Sequence, residues 1–152
     1  MWGNIKELVE PELLERLRTY LSEAGYKPSV RDNSISIEKT GFTDQTVNLE
    51  IRLLDIDGHR VLNFESIVSE TASSFERASL ALIQGNTACR IVKFTLNELP
   101  LDHEHRFELR ASTHIFADHF SKDEISSMTF LFLSELDEID NQLREILERK
   151  PS

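Results

Sequence analysis

Two histidines, His103 and His105, are the strongest candidates for chemistry in this chain, in a stretch that also holds two carboxylates. Alternate residues of an extended segment point to one side, so both imidazoles would face the same way. With His114 or His119 added, such a pair could ligate zinc or another transition metal. However, the helical or Cys/His spacing of tight metal sites is missing here. The alternative interpretation is a solvated acidic loop, and we predict no metal and no cofactor.

Two other routes to catalysis are also weakly supported. Cys89 is the single cysteine, and a nucleophilic cysteine needs an activating base and a lowered pKa. Nothing around it indicates either, so we predict a small buried hydrophobic residue. Asp55 and Asp57 could suggest paired carboxylates, but Asp57-Gly58 is the pair that a two-residue hairpin turn prefers. With no Gly-rich phosphate loop either, the sequence predicts a protein that is not an enzyme.

Composition excludes several classes of partner. The 152 residues carry a formal net charge of -10, which argues against nucleic acid and against anionic membranes. No apolar run approaches the roughly 18 residues of a membrane span. A single cysteine and no signal peptide predict a reducing, cytoplasmic location. The length predicts one domain, residues 1–152.

The last part of the chain predicts a strand followed by a long helix. Residues 107–115 alternate as a strand does, and Ser121 with Glu124 forms a capping box at the helix start. Phe120 and Ile125 have the spacing of a hydrophobic staple. The apolar stripe of this helix repeats at steps of three and four: Ile125, Met128, Phe132, Leu136, Ile139, Leu143 and Ile146.

Two earlier helices are predicted in the same way. The first begins near Asn4 or at Pro11, since a capping box or a proline at the first position would each suit a helix start. It ends at Gly25. The second follows a capping box formed by Ser73 and Glu76 and closes at Gly85-Asn86. Its packed side holds Phe75, Ala78 and Leu82.

The remaining chain predicts strands joined as hairpins. A strand over 90–96 and a loop over 97–104 follow the second helix. The resulting order, α-β-β-β-β-α-β-β-α, predicts an α+β fold with an antiparallel twisted sheet and helices packed on one face.

A turn at Asp57-Gly58 sets the register of the hairpin around it. Ile51 then lies opposite Phe64, and one face of the ribbon is apolar while the other is polar. Leu54, Ile56 and Val61 fall together on the polar face. Scattered exposed apolar residues are normal, but three at one hairpin tip suggest an interface. With the outward residue Phe116, they are the predicted partner-binding residues.

The order of elements resembles the YbjN family and its type III secretion chaperone-like fold. The segments that carry the resemblance are 82–86, 91–96, 107–111 and the helix from Ser121. The resemblance implies helices on one face of a twisted antiparallel sheet. It also implies a non-enzymatic, chaperone-like or regulatory protein that binds another protein or protein segment, often as a homodimer. The alternatives are a small metal-binding protein or enzyme using His103 and His105, or a structural subunit of a larger assembly.

Overall fold

The computed structural model describes residues 4–40, 46–72, 74–100 and 105–148. A short strand precedes the first helix; otherwise the order of elements is the predicted one. The elements are β1 (Ile5–Glu7), α1 (Pro11–Glu23), β2 (Ser29–Arg31), β3 (Ser34–Thr40), β4 (Thr46–Ile56), β5 (His59–Ala72), α2 (Phe75–Ala88), β6 (Lys93–Pro100), β7 (His105–Phe116) and α3 (Lys122–Glu148).

The strands form one antiparallel sheet in the order β2-β3-β4-β5-β7-β6, with β1 paired to the end of β4. Alternate residues of β3, β4, β5 and β7 join side chains from all three helices in one buried cluster. The predicted α+β fold is therefore confirmed. We call the opposite side of the sheet, which none of these helices covers, the open face.

The hairpin between β4 and β5 has the predicted register. Ile51 lies opposite Phe64, and Leu54 lies opposite Val61. Asp57 and Gly58 both have positive φ, 54° and 84°, as a type I′ turn requires. The Gly58 N–H donates to a carboxylate oxygen of Asp55 at 2.8 Å. Both aspartates are thus explained by the turn.

Of the two predicted starts for the first helix, the structure has Pro11. Asn4 instead precedes β1, and its carbonyl accepts a hydrogen bond from the Asp57 N–H at 3.2 Å. β1 is bonded to the hairpin rather than to α1, which explains why a capping pattern at Asn4 does not start a helix. Gly25, at φ 97°, follows the end of α1 as predicted.

The long helix α3 begins as its capping pattern predicts. The Glu124 N–H donates to the Ser121 hydroxyl at 3.1 Å, and that hydroxyl lies 3.4 Å from the Glu124 carboxylate. Most of the predicted stripe is buried, with Met128 and Ile146 partly so. Burial of Leu133 and Leu147 widens the stripe beyond a coiled-coil seam.

The prediction for α2 is wrong at its end. The helix passes through Gly85 and continues to Ala88. Gly85 is buried, and a Cβ built there would lie 2.7 Å from the ring of Phe94 on β6. The glycine therefore allows close approach of helix and strand instead of stopping the helix.

The start and packed side of α2 also differ from prediction. Ser74 is the N-cap and accepts a hydrogen bond from the Arg77 N–H, whereas Ser73 lies outside the described residues. Phe75 was expected on the packed side, but it is 66% exposed. Its ring lies against that of Phe107, at 6.0 Å between centroids.

The predicted loop over 97–104 is partly wrong, because β6 extends to Pro100 by pairing with β7. Pro100 is tolerated there since β6 is an edge strand. Residues 101–104 lie outside the described part of the chain.

Gly85→Ala tests the close approach of α2 to β6. Within a helix this change ordinarily stabilises a protein by about 0.5–1 kcal/mol. Here the added methyl meets the Phe94 ring, so we expect a destabilisation of about 1–3 kcal/mol in urea unfolding.

The same substitution in a Phe94→Leu background should cost less, because the smaller side chain leaves room for the methyl. An equal cost in both backgrounds would show that the glycine is needed for another reason.

Candidate functional site

The predicted partner-binding residues meet at one end of the open face. Leu54 lies opposite Val61, and Val61 lies opposite Phe116 on β7. Ile56 is two residues further along β4, opposite Ile5 on β1. Residues opposite one another in an antiparallel sheet share a face. We call these five side chains the tip patch.

The tip patch has a buried base and an exposed rim. Val61 is 3% exposed, although it is not part of the core cluster on the helix side. Leu54 and Ile56 are half-buried. Phe116 and Ile5 are 66% and 62% exposed. The expectation that Val61 is exposed is therefore wrong: it supports the patch from beneath.

Ile5 is a member of the patch that the sequence interpretation missed. Its strand has only three residues, too few to show a period of two. The residues Ile5-Lys6-Glu7 show no apolar alternation, and the capping pattern at Asn4 favoured a helix there instead. Its pairing with β4 is a long-range contact that local patterns do not reveal.

The other face of the same hairpin tip is held by Arg60. Its Nε donates to a Glu10 carboxylate oxygen at 3.0 Å, and its guanidinium also pairs with Asp118. The Arg60 carbonyl accepts the Ala117 N–H at 2.9 Å. These bonds tie the hairpin to the start of α1 and to the segment after β7. The strand ends that carry the tip patch are therefore held in place by bonds on the opposite face of the sheet.

Next to the patch, charged side chains form a ladder across three strands of the open face. Glu50 and Glu65 lie opposite each other, an arrangement expected to cost free energy. Arg52 offsets it, lying 2.9 Å from Glu50 and 3.5 Å from Glu65. Arg110 continues the ladder, 3.1 Å from Glu65 and 2.8 Å from Glu108. The hydrogen bond from Arg52 holds the pKa of the Glu50 carboxyl below its usual value.

Cys89 is buried, as predicted, in the connection from α2 to β6. Burial, followed by the nearby Glu135 carboxylate, raises the pKa of its thiol to about 11. That carboxylate accepts backbone N–H bonds from three consecutive residues, 90–92, at 2.9–3.3 Å. The thiol is thus kept protonated, the reverse of what a nucleophile needs.

The predicted histidine pair is not tested by the structure. His103 lies outside the described residues, and His105 begins β7 opposite Pro100. His114 and His119 are both exposed. Within the described ranges, no three His, Cys, Asp or Glu side chains cluster in a way that could hold a metal ion. In the same ranges, no helix has the length and apolarity to cross a membrane.

Comparison with solved structures finds the fold of YbjN from E. coli. That protein, described as "a putative transcription regulator", superposes with a TM-score of 0.65 over 91% of this chain and 95% of its own. The two sequences are 12% identical, so the likeness shows a shared fold. The predicted resemblance is confirmed at that level. No family model and no curated protein matches the sequence.

The state of Cys89 can be checked with a thiol reagent. Because its thiol is buried and has a pKa near 11, we expect labelling by a chromogenic disulfide at pH 8 to be slow in the native protein. Labelling should become stoichiometric and fast in guanidinium chloride. Fast labelling of the native protein would place the thiol at the surface.

The ladder predicts a pH-dependent stability. Since the pKa of Glu50 is lowered by folding, its contribution is present above the pKa of the unfolded chain and lost as pH falls through the folded value. Glu50→Gln should lower the free energy of unfolding at pH 7 by up to about 1 kcal/mol. Its difference from the wild type should shrink as pH falls through the lowered pKa of Glu50, where the wild-type carboxyl is protonated as well.

Glu38→Gln is the matched control, since it removes the same charge from the neighbouring strand β3. Among the described residues Glu38 makes no ion pair, so its effect at pH 7 should be smaller. Equal effects of both substitutions would point to overall charge rather than to the ladder.

Proposed function

We propose that the protein is a non-catalytic protein-binding domain, chaperone-like or regulatory, that binds a segment of another protein through the tip patch. The observation that carries this proposal is the exposure of Phe116 and Ile5, 66% and 62%, on a buried apolar base. Exposed apolar clusters rimmed by polar residues are typical of protein-interaction sites.

The tip patch is suited to docking because it is already ordered. Phe116 is an aromatic anchor whose ring contacts His59 edge-on, at 6.2 Å between centroids. Arg60 and its two carboxylate partners hold the strand ends beneath it. A partner would therefore bury apolar area without ordering the site first, and ordering is a main cost of association.

The size of the patch favours a short segment as partner. A stable interface between globular proteins buries about 800 Å² on each side. Two exposed side chains and two half-buried ones provide much less than that. A homodimer through this patch would have to extend over the rest of the open face, and it is the alternative form of the proposal.

Charge supports a protein partner over nucleic acid. The helix α3 carries eight acidic side chains and two basic ones, so the helix layer would repel phosphate. The likeness to YbjN supports a regulatory role at the level of the fold. In our proposal such regulation runs through protein contacts, within a single cytoplasmic domain.

Phe116→Glu tests the docking surface. The side chain is largely exposed, so the circular dichroism spectrum and melting temperature should remain native. A charge at the centre of an apolar contact resists desolvation. We expect the affinity for a purified partner, first found by pull-down and then titrated calorimetrically, to fall roughly tenfold or more. Any self-association seen by light scattering should weaken too.

Phe75→Glu is the matched control, because Phe75 on α2 is equally exposed and also keeps one ring contact. It should bind as the wild type does. Loss of binding in Phe75→Glu with full binding in Phe116→Glu would move the docking surface to α2.

A further inference from the structure

We propose that a concave basin on the open face, next to the tip patch, binds an acidic peptide segment. The inference rests on the proposed function, because it extends the bound partner from the patch into the basin. The basin has a volume of about 790 Å³. Its lining includes Lys27, Ser29 and Arg31 from the β2 edge of the sheet, together with Ser36 on β3 and Arg52 on β4. Sites for small ligands and peptide side chains commonly have this size.

The basin reverses the sign of charge that dominates the rest of the molecule. Four basic side chains line it, Lys27, Arg31, Arg52 and Arg110, against three acidic ones. The whole chain has 17 basic and 27 acidic residues. A negatively charged segment would therefore be repelled by most of the surface and attracted here. Such contrast directs a ligand to one place.

The four basic groups are of two kinds. Arg52 and Arg110 are held in the ladder by glutamates. Lys27 and Arg31, by contrast, form no ion pair within 4 Å among the residues that the structure describes. Their charges are available to carboxylates of a ligand. Hydroxyl groups of Ser29 and Ser36, which lie opposite each other across β2 and β3, add hydrogen-bond donors beside them.

The spacing between basin and patch defines the segment that would fit. Leu54 lies two residues beyond Arg52 on the same face of β4, about 7 Å away. Arg31 lies opposite Ser34, and Ser34 lies opposite Arg52, so two strand spacings of about 5 Å separate the arginines. An extended peptide covers the diagonal in about four residues. The predicted ligand thus has a large apolar residue about four positions from acidic ones.

The test uses two pools of fluorescent octapeptides and the full chain. Each acidic peptide has two leucines at one end, three glutamates at the other, and serine or glycine between them. The matched pool has lysine in place of glutamate. By fluorescence anisotropy, we expect the acidic pool to bind more tightly, and its advantage to shrink as salt is raised.

The double substitution Lys27→Gln with Arg31→Gln removes the two unpaired positive charges of the basin. Partly exposed ion pairs contribute about 0.2–1 kcal/mol each, so the affinity for the acidic pool should fall between about twofold and about thirtyfold. Lys6→Gln with Arg90→Gln removes the same net charge outside the basin. That control should bind the acidic pool as the wild type does.

The outcomes separate the basin from the tip patch. The basin proposal is overturned if both pools bind the wild type equally, if neither binds, or if the basin and control variants behave alike. If Phe116→Glu abolishes peptide binding while the basin variant keeps it, the patch is supported and the basin is not. If Phe116→Glu and the basin variant both bind the peptides more weakly while the control does not, the tip patch and the basin are both supported. If neither peptide pool binds, the tip patch is still tested by the partner titration and the light scattering of Phe116→Glu.

Discussion

The register of the β4–β5 hairpin is the constraint on which the other surfaces depend. A type I′ turn at Asp57-Gly58 permits one register, and a slip by one residue would send every side chain to the opposite face. With the observed register, Ile51 and Phe64 face the helices while Leu54 and Val61 face away from them. The register that buries the core side chains against the helices therefore also places the tip-patch side chains on the open face.

The charge ladder follows from that register as well. A Glu-x-Arg pattern occurs on β4 as Glu50 and Arg52 and again on β7 as Glu108 and Arg110. Since residues two apart share a face of a strand, each pattern places a glutamate and an arginine on the open face. Glu65, on the strand between them, then contacts both arginines. Both guanidinium groups of the ladder are thereby engaged by its three carboxylates, and the unpaired cations Lys27 and Arg31 lie beside it at the basin edge.

The sequence correctly predicts those parts of the fold that are determined by residues close together in the chain. The turn at Asp57-Gly58 and the cap at Ser121 each need only neighbouring residues, and both are found as predicted. The errors have long-range causes. Gly85 has the local signature of a helix stop, but the Phe94 ring from another element requires the glycine inside the helix. The three residues of β1 pair with β4, whose residues lie 47 to 51 positions later in the sequence, and so short a strand has no periodicity that reveals this contact.

In the candidate site, too, the features that depend on neighbouring residues are predicted, and those that depend on distant residues are missed. Its four predicted residues lie on one surface because hairpin register is a local property, extended to Phe116 by the pairing of β7 with β5. The burial of Val61 depends on neighbours from both adjoining strands, so the sequence predicts its face but not its exposure.

A patch assembled in this way combines segments from the beginning, the middle and the later part of the chain, with Arg60 fixing all three from behind. Its apolar rim is consequently a property of the folded molecule alone. An unfolded chain would expose the same side chains without their arrangement.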